Sequence, residues 1–238
     1  MSLNDIPEIH LLCMEDKYIR AFYKALHAQW PSHEKTPKIQ LHILNTSLNQ
    51  VPPSTTFQLI VSPANSYGRL DGAFDAAISR AFCNPHHPYN TLTHAAQDVL
   101  YDRWRGFAPP GTCTLVPFPQ TLEGTNDWGC KWVAICPTMK VPTSVSWDRE
   151  VVFECVWSLL CQVEGWNRGR TTDRIESILM TPLATGVGGV SEERWAAQLV
   201  LALRQFVDAL ERPQRWSRLG WGEILDDAMV VEKTWSKK

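Results

Sequence analysis

The sequence predicts an α/β fold built on a mixed, mostly parallel central sheet of about six strands. Six short apolar runs rich in β-branched residues have the length of strands. Four further segments repeat apolar residues at the i, i+3, i+4 spacing of a helix. The two kinds of segment alternate along most of the chain, and this alternation favours parallel strands joined by crossover helices.

The strand-like runs recur from the first residues to the last third of the chain. Between the second and the third run no helical segment intervenes, so we expect a mixed sheet and not a purely parallel one. The six runs are residues 8–14, 38–48, 57–64, 112–118, 131–138 and 176–184.

Each helical segment presents one apolar face that can lie on a sheet. Beyond the last of them, Pro213 stops the helix, and residues 212–238 are predicted to be irregular or short-helical. This tail carries three tryptophans. The four apolar stripes lie at residues 19–30, 74–82, 151–160 and 195–210.

The composition is that of an ordinary globular protein with almost no net charge. The 238 residues contain 44% hydrophobic and 20% charged side chains, and the net charge is -2. The chain lacks the diffuse positive field that holds a nucleic-acid backbone, so nothing indicates direct nucleic-acid binding. No stretch approaches the roughly 20 apolar residues of a membrane helix, and residues 1–8 have neither the basic n-region nor the apolar h-region typical of a signal peptide. We expect no membrane partner and an intracellular location, cytoplasmic or nuclear.

The cysteines and histidines do not form a metal-binding pattern. Seven cysteines occur without any Cys-x-x-Cys pair, which favours buried thiols in a reducing compartment. The one tight histidine pair, His86–His87, lies between prolines and is predicted to be a surface turn. We therefore expect neither a metal nor a cofactor.

Two glycine-rich loops stand between a strand and a helix, where ligands of open α/β sheets bind. The first covers residues 62–75, with a helix expected from Ala76; the second covers residues 183–190, with Ser191 at the N-cap. Glycine lets consecutive N–H groups point at one ligand, and a helix start adds unpaired donors. Two such loops facing each other can hold a diphosphate without lysine or arginine.

Simpler interpretations exist for each loop taken alone. A glycine-rich loop is often only a tight turn, and a loop asparagine such as Asn65 commonly forms an Asx-turn. Asp71 and Asp75 can serve merely as negative charges at a helix start. The combination of two such loops in one α/β chain is what favours a nucleotide site.

These residues resemble a macro domain, the ADP-ribose-binding module. The family's first loop is similar to Pro-Ala-Asn at 63–65 followed by Gly-Ala-Phe-Asp-Ala-Ala-Ile at 72–78. Its second loop is similar to Ala-Thr-Gly-Val-Gly-Gly at 184–189. Together with Cys-Pro-Thr-Met-Lys-Val-Pro at 136–142, the pattern looks like the divergent branch called Appr-1-p processing or phage-tail-associated.

The resemblance implies a three-layer α/β/α macro-domain fold. It implies one domain over residues 1–238, with the core at about 8–210 and the tryptophan-bearing tail at 211–238. The implied partner is ADP-ribose or an ADP-ribosylated macromolecule. The implied activity is hydrolysis at the distal ribose, of mono-ADP-ribosylated targets or of ADP-ribose 1''-phosphate. A non-catalytic ADP-ribose reader is the alternative.

The resemblance also implies a role for each candidate residue. Asn65 would contact the distal ribose, and Asp75 would lie near its anomeric carbon and position or deprotonate a water. These two are the candidate catalytic residues. Asp16, or its neighbour Glu15, would accept a hydrogen bond from the adenine amino group. The other candidate ligand-binding residues are Asp71, Gly72, Ala73 and Phe74 in the first loop and Thr185, Gly186, Val187, Gly188, Gly189 and Val190 in the second.

The sequence departs from the family pattern in ways that leave hydrolase and reader both open. Gly188 and Val190 stand where aromatic residues often cover the distal ribose, and Ser62 stands at the family's first asparagine. The Glu-Glu signature of poly(ADP-ribose) glycohydrolases is absent, which disfavours degradation of polymer. Residues 186–191 partly match G-x-G-x-x-G, so a nucleotide-dependent oxidoreductase is conceivable, although the third glycine is missing.

Overall fold

Each of the six strand-like runs forms a strand, shorter than the run that predicts it. The structure, a computed structural model, describes residues 3–83 and 87–235, so the turn predicted at His86 lies outside the described residues. The strands are β1 Glu8–Leu12, β2 Leu41–Leu44, β3 Leu59–Ser62, β4 Thr114–Pro117, β5 Trp132–Ile135 and β6 Ser177–Met180.

The four predicted apolar stripes lie on four of the helices. They fall on α1, α3, α5 and α6, and α3 begins at Ala73, three residues before the start expected from the sequence. Helix α4 was not predicted, because only two of its buried residues, Leu92 and Leu100, are large and apolar over about four turns. The described helices are α1 Asp16–Gln29, α2 Pro31–Lys35, α3 Ala73–Phe82, α4 Thr91–Trp104, α5 Val151–Asn167, α6 Glu192–Glu211, α7 Pro213–Trp216 and α8 Trp221–Glu232.

The strands form a single mixed sheet in the order β2-β1-β6-β3-β5-β4. All neighbouring pairs are parallel except β4 and β5, which run antiparallel with Thr114 opposite Ile135. The mixed, mostly parallel sheet is confirmed, but our reason for it was wrong. β2 and β3 are not neighbours, and β2 is parallel to the strand beside it, β1. The antiparallel pair is formed instead by β4 and β5, which follow each other in the chain without a helix of four or more residues between them.

Helices cover both faces of the sheet and create two hydrophobic cores. On one face, α1, α5 and α6 pack over alternate residues of the strands, as Phe22, Val152 and Leu199 do against Ile9 and Val61. On the other face, α3 and α4 form a core with the alternate strand residues, among them Ile60 and Val133. The result is the predicted three-layer α/β/α arrangement.

The carboxyl ends of the five parallel strands β2, β1, β6, β3 and β5 meet at one edge of the sheet. Four connections leave this edge towards helices: the short β1–α1 connection (residues 13–15) and three longer loops, the β3–α3 loop (residues 63–72), the β5–α5 loop (residues 136–150) and the β6–α6 loop (residues 181–191). This edge is where open α/β sheets bind ligands.

The tail forms two helices that pack on the outer side of α5 and α6. Trp216 lies 5.5 Å from Trp157 of α5, measured between ring centroids, and its indole Nε1 donates to Asp208 at 2.7 Å. Near the end of the tail, Trp235 Nε1 donates to Glu150 at 3.0 Å. The tail is therefore more regular than predicted and is held by specific contacts. Among the described residues, no helix combines the length and apolar character needed to span a bilayer.

Two tail tryptophans provide a matched test of this packing. Replacing Trp216 with alanine removes the contact with Trp157 and the hydrogen bond to Asp208, so we expect a loss of about 2 kcal/mol in the free energy of unfolding. Replacing Trp221, whose side chain is 78% exposed, should change it by less than about 0.5 kcal/mol. Urea denaturation measures both. Equal effects of the two substitutions would contradict the packing of the tail.

Candidate functional site

A cavity of about 300 Å³ opens where the three loops meet at the carboxyl edge of the sheet. Both sequence-predicted loops contribute to its wall, and the start of α1 closes one side. Its volume is at the lower end of ordinary ligand pockets, which span roughly 300–1,000 Å³. The lining residues are Met14, Glu15, Tyr18, Pro63, Ala64, Asn65, Asp71, Gly72, Ala73, Phe74, Asp75, Thr138, Met139, Pro142, Thr181, Pro182, Ala184, Thr185, Gly186, Val187 and Gly188.

The β6–α6 loop closes on itself while leaving a run of amides free. Gly189 N donates to Gly186 O at 3.0 Å, and Val190 N donates to Ala184 O at 3.1 Å. The four preceding N–H groups, from Thr185 to Gly188, find no acceptor among the described residues. The last two amides of the turn therefore stabilise the turn itself, and the four before them are free to donate to a ligand.

Gly188 is required by the close approach of the backbone across this turn. A Cβ atom at this position would lie 2.4 Å from the carbonyl oxygen of Ala184 and 3.0 Å from Val145 Cγ2. The carbonyl of Gly188 also accepts from Val145 N at 2.8 Å, which ties the turn to the β5–α5 loop. An aromatic side chain at this position is excluded by space.

The β3–α3 loop leaves a second run of amides free at the start of α3. Leu70 N donates to Thr93 Oγ1 at 3.1 Å, and Ala76 N donates to Gly72 O at 3.2 Å. The five N–H groups between them, from Asp71 to Asp75, find no acceptor among the described residues. Because α3 begins here, the positive end of its dipole adds to these donors.

Two alanines on the cavity wall adopt backbone angles that favour glycine. Ala73, the first residue of α3, has φ of 48°, and Ala184 in the β6–α6 loop has φ of 60°. A left-handed conformation costs an ordinary residue on the order of 1 kcal/mol. Ala73 lies within the first run of free amides, and Ala184 directly precedes the second.

Asn65 lines the cavity, and its side chain organises the β3–α3 loop. Its Oδ1 accepts from Tyr67 N at 3.0 Å and from Arg69 N at 3.4 Å, and its Nδ2 donates to Arg69 O at 2.8 Å. These are the contacts of the simpler Asx-turn interpretation. The contact of Asn65 with a ribose stays a prediction.

Asp75 is a buried carboxylate on the cavity wall. Ser62 Oγ donates to its Oδ1 at 2.6 Å, whereas Oδ2 has no hydrogen-bond partner among the described residues. Desolvation raises the pKa of Asp75 to about 7, against the lowering effect of the Ser62 hydrogen bond and with a small contribution from the charge of Asp71. Near neutral pH this group can therefore accept or donate a proton, as a general base or acid requires.

The two acidic candidates at the start of α1 lie in different surroundings. Glu15 lines the cavity and forms an ion pair with Lys17 at 3.0 Å. Asp16 is not among the lining residues, and its Oδ1 accepts from Asn45 Nδ2 at 2.9 Å. Of the remaining acidic candidates, Asp71 lines the cavity and pairs with Arg69.

The structure gathers most of the other candidates at the cavity and leaves two outside it. Gly189 closes the β6–α6 turn, and Val190 is buried in the core, so neither contributes to the lining. The candidates that do line the cavity are Gly72, Ala73, Phe74, Thr185, Gly186, Val187 and Gly188.

Sequence reasoning missed the lining residues that the β5–α5 loop contributes. Thr138 N donates to Ala64 O, and Ser66 N donates to Met139 O, each at 3.0 Å, so this loop runs beside the β3–α3 loop. The motif at 136–142 was the available signal. Within the described ranges, no group of three or more His, Cys, Asp or Glu side chains is arranged to hold a metal ion.

No protein-family model and no curated protein matches the chain. Among solved structures, it is similar to an Oceanobacillus iheyensis macrodomain mutant with ADPR, at 18% identity and a TM-score of 0.48 over 64% of this chain and 72% of that one. It is also similar to the macrodomain of Mycobacterium tuberculosis DarG, at 20% identity and a TM-score of 0.46 over 65% and 86% of the two chains. The Oryza sativa APL macrodomain in complex with ADP-ribose gives 12% identity and a TM-score of 0.37 over 88% and 98%. These values are too low to assign a ligand or an activity to this chain.

The raised pKa of Asp75 makes the stability of the protein depend on pH. The folded state keeps the proton up to about pH 7, whereas the unfolded chain loses it near the ordinary value of 3.8. The contribution of the protonated Asp75 to the free energy of unfolding is thus complete below about pH 4 and is lost as the pH rises through 7.

Replacing Asp75 with asparagine should remove this dependence, since the amide stays neutral and still accepts from Ser62. The free energy of unfolding of the wild type should fall between pH 4 and pH 8, and that of the variant should not. Relative to the wild type, we therefore expect the variant to gain about 2–4 kcal/mol between these two pH values. Denaturant unfolding across this range, with the exposed Asp98→Asn as control, measures the effect. Parallel curves for Asp75→Asn and wild type would contradict the raised pKa.

Proposed function

We propose that this protein binds ADP-ribose in the cavity and hydrolyses bonds at the distal ribose. One observation carries the proposal: two runs of unpartnered amides, Asp71–Asp75 and Thr185–Gly188, border one cavity that also contains the buried carboxylate of Asp75. The resemblance of both loops to a macro domain supports the same assignment.

The amide runs can hold a diphosphate. Nine N–H donors from two loops can engage several oxygens of a pyrophosphate, and the start of α3 adds favourable dipole. Within the described part of the chain, no lysine or arginine lines the cavity, so the backbone would supply the positive potential. This agrees with the near-zero net charge of the chain.

The two ends of the cavity suit the two ends of ADP-ribose. At the α1 end, the carboxylate of Glu15 would accept a hydrogen bond from the adenine amino group, beside the ring of Tyr18. We assign this role to Glu15 and not to Asp16, because Asp16 lies outside the lining and is held by Asn45. At the other end, Asn65 and Asp75 would face the distal ribose.

The chemistry assigned to Asp75 is that of a general base. Its ionised carboxylate would accept a proton from a water whose oxygen bonds to the anomeric carbon of the distal ribose. The bond between that carbon and the leaving group breaks, and the leaving group departs with the electron pair. Ser62 would hold Asp75 by one oxygen so that the other faces the water.

Two alternatives remain distinguishable from this proposal. A non-catalytic reader is favoured by Gly188, since no aromatic residue at that position covers the ribose. A nucleotide-dependent oxidoreductase is disfavoured by the strand order β2-β1-β6-β3-β5-β4, which is not the order of a dinucleotide-binding fold.

Binding is tested by calorimetry with ADP-ribose, ADP and NAD. We expect ADP-ribose to bind most tightly and to raise the melting temperature, since a ligand of the folded state stabilises it. Gly188→Ala should weaken binding by about tenfold or more, because its methyl group would lie 2.4 Å from Ala184 O and displace the amides. Gly165→Ala, in α5 with open space around it, is the control. No heat of binding with any of the three would refute the proposed ligand.

Hydrolysis is tested with a mono-ADP-ribosylated protein and with ADP-ribose 1''-phosphate. We expect turnover that rises with pH through about 7 as Asp75 ionises. Asp75→Asn should lower kcat by about 100-fold or more while changing ADP-ribose affinity only a few-fold. Tight binding without turnover by the wild type would identify a reader, and an unchanged rate in Asp75→Asn would exclude the catalytic role.

A further inference from the structure

A second cavity lies between the tail and α5, away from the residues of the proposed ADP-ribose site. Its volume is about 560 Å³, in the range of ligand pockets, which span roughly 300–1,000 Å³. Among the lining residues are three aromatic rings and three carboxylates: Phe153, Trp157, Trp216, Glu150, Glu154 and Asp227. We call this feature the tail groove.

The aromatic rings form one continuous wall of the tail groove. Phe153 and Trp157 stack with centroids 5.9 Å apart and planes inclined by 23°. Trp157 then meets Trp216 at 5.5 Å and 33°. The faces of aromatic rings, and of indole most of all, attract cations through the ring quadrupole.

The three carboxylates of the tail groove differ in their hydrogen-bond and ion-pair partners. Asp227 forms an ion pair with Arg215 at 2.7 Å, and Glu150 accepts from Trp235. The side chain of Glu154 is exposed, and its carboxylate has no ion-pair or hydrogen-bond partner among the described residues; its Oε2 lies close to Gly111. Partial desolvation, together with the charges of Asp148 and Glu150, raises the pKa of Glu154. The groove thus contains a negative charge that its own chain leaves uncompensated.

We propose that the tail groove binds an arginine side chain of a partner polypeptide. The guanidinium would stack on the tryptophan wall and pair with Glu154, which supplies the complementary charge. The same contact recurs elsewhere in this chain: Arg170 lies 3.8 Å from the Trp166 ring centroid, and Arg149 lies 4.5 Å from that of Trp235. A planar guanidinium can both stack on the tryptophan rings and pair with the Glu154 carboxylate, whereas an ammonium group stacks poorly.

A pair of short peptides tests the proposal directly. The probe is fluorescein-labelled Ser-Gly-Arg-Gly-Arg-Gly, and its twin carries citrulline, the neutral isostere, in place of both arginines. Fluorescence anisotropy on the full chain should show the citrulline peptide binding about tenfold or more weakly than the arginine peptide. Glu154→Gln should weaken the arginine peptide about fivefold or more. Glu193→Gln, an exposed first-turn acid of α6 outside the groove, should leave its affinity within about twofold.

The possible results separate this proposal from its competitors and from the proposed function. Equal affinities for both peptides, or equal affinities of Glu154→Gln and wild type, would overturn it. A dimer that Glu154→Gln dissociates, without peptide binding, would overturn it in favour of a second copy of this chain. ADP-ribose binding should be unaffected by Glu154→Gln, so failure of either proposal leaves the other intact.

Discussion

Backbone N–H groups without acceptors are the constraint around which the carboxyl edge of the sheet is organised. Parallel strands bring the β3–α3 and β6–α6 connections to one side of the molecule. The free amides of the first connection lie at the start of α3, where the helix cannot pair them, and those of the second, Thr185–Gly188, lie in the turn ahead of α6. Two alanines, Ala73 and Ala184, adopt left-handed backbone angles beside the cavity that these amides border. The site is thus built mainly from main chain.

The buried carboxylate beside these amides follows the same logic. Asp75 lies in the first turn of α3, where the dipole favours an anion, yet burial in the cavity wall favours the neutral acid. Burial dominates, because a single hydrogen bond from Ser62 only partly replaces the lost hydration. Ser62 is the last residue of β3 and Asp75 lies in the first turn of α3, so the strand and the helix together set the position of the Asp75 carboxylate.

Much of the fold could be predicted from the sequence, because periodicity reports which faces are buried. All six strands were predicted from short apolar runs rich in β-branched residues, and the helices with broad apolar stripes from the spacing of their apolar residues. Helix α4 was not predicted, since few of its residues are large and apolar. The two loops were visible through their glycines. Three features could not be predicted, because each depends on which side chains the fold brings together from distant segments. They are the different positions of Glu15 and Asp16, the lining residues of the β5–α5 loop, and the tail groove.

Gly188 also determines how far the β6–α6 loop can cover the cavity. With no room for a side chain at this position, the mouth has no cover from its own loop, and the exposed Val187 beside it is short. A ligand bound there as proposed would keep one flank in solvent, so a larger group attached to that flank could extend out of the cavity without meeting a side chain at position 188.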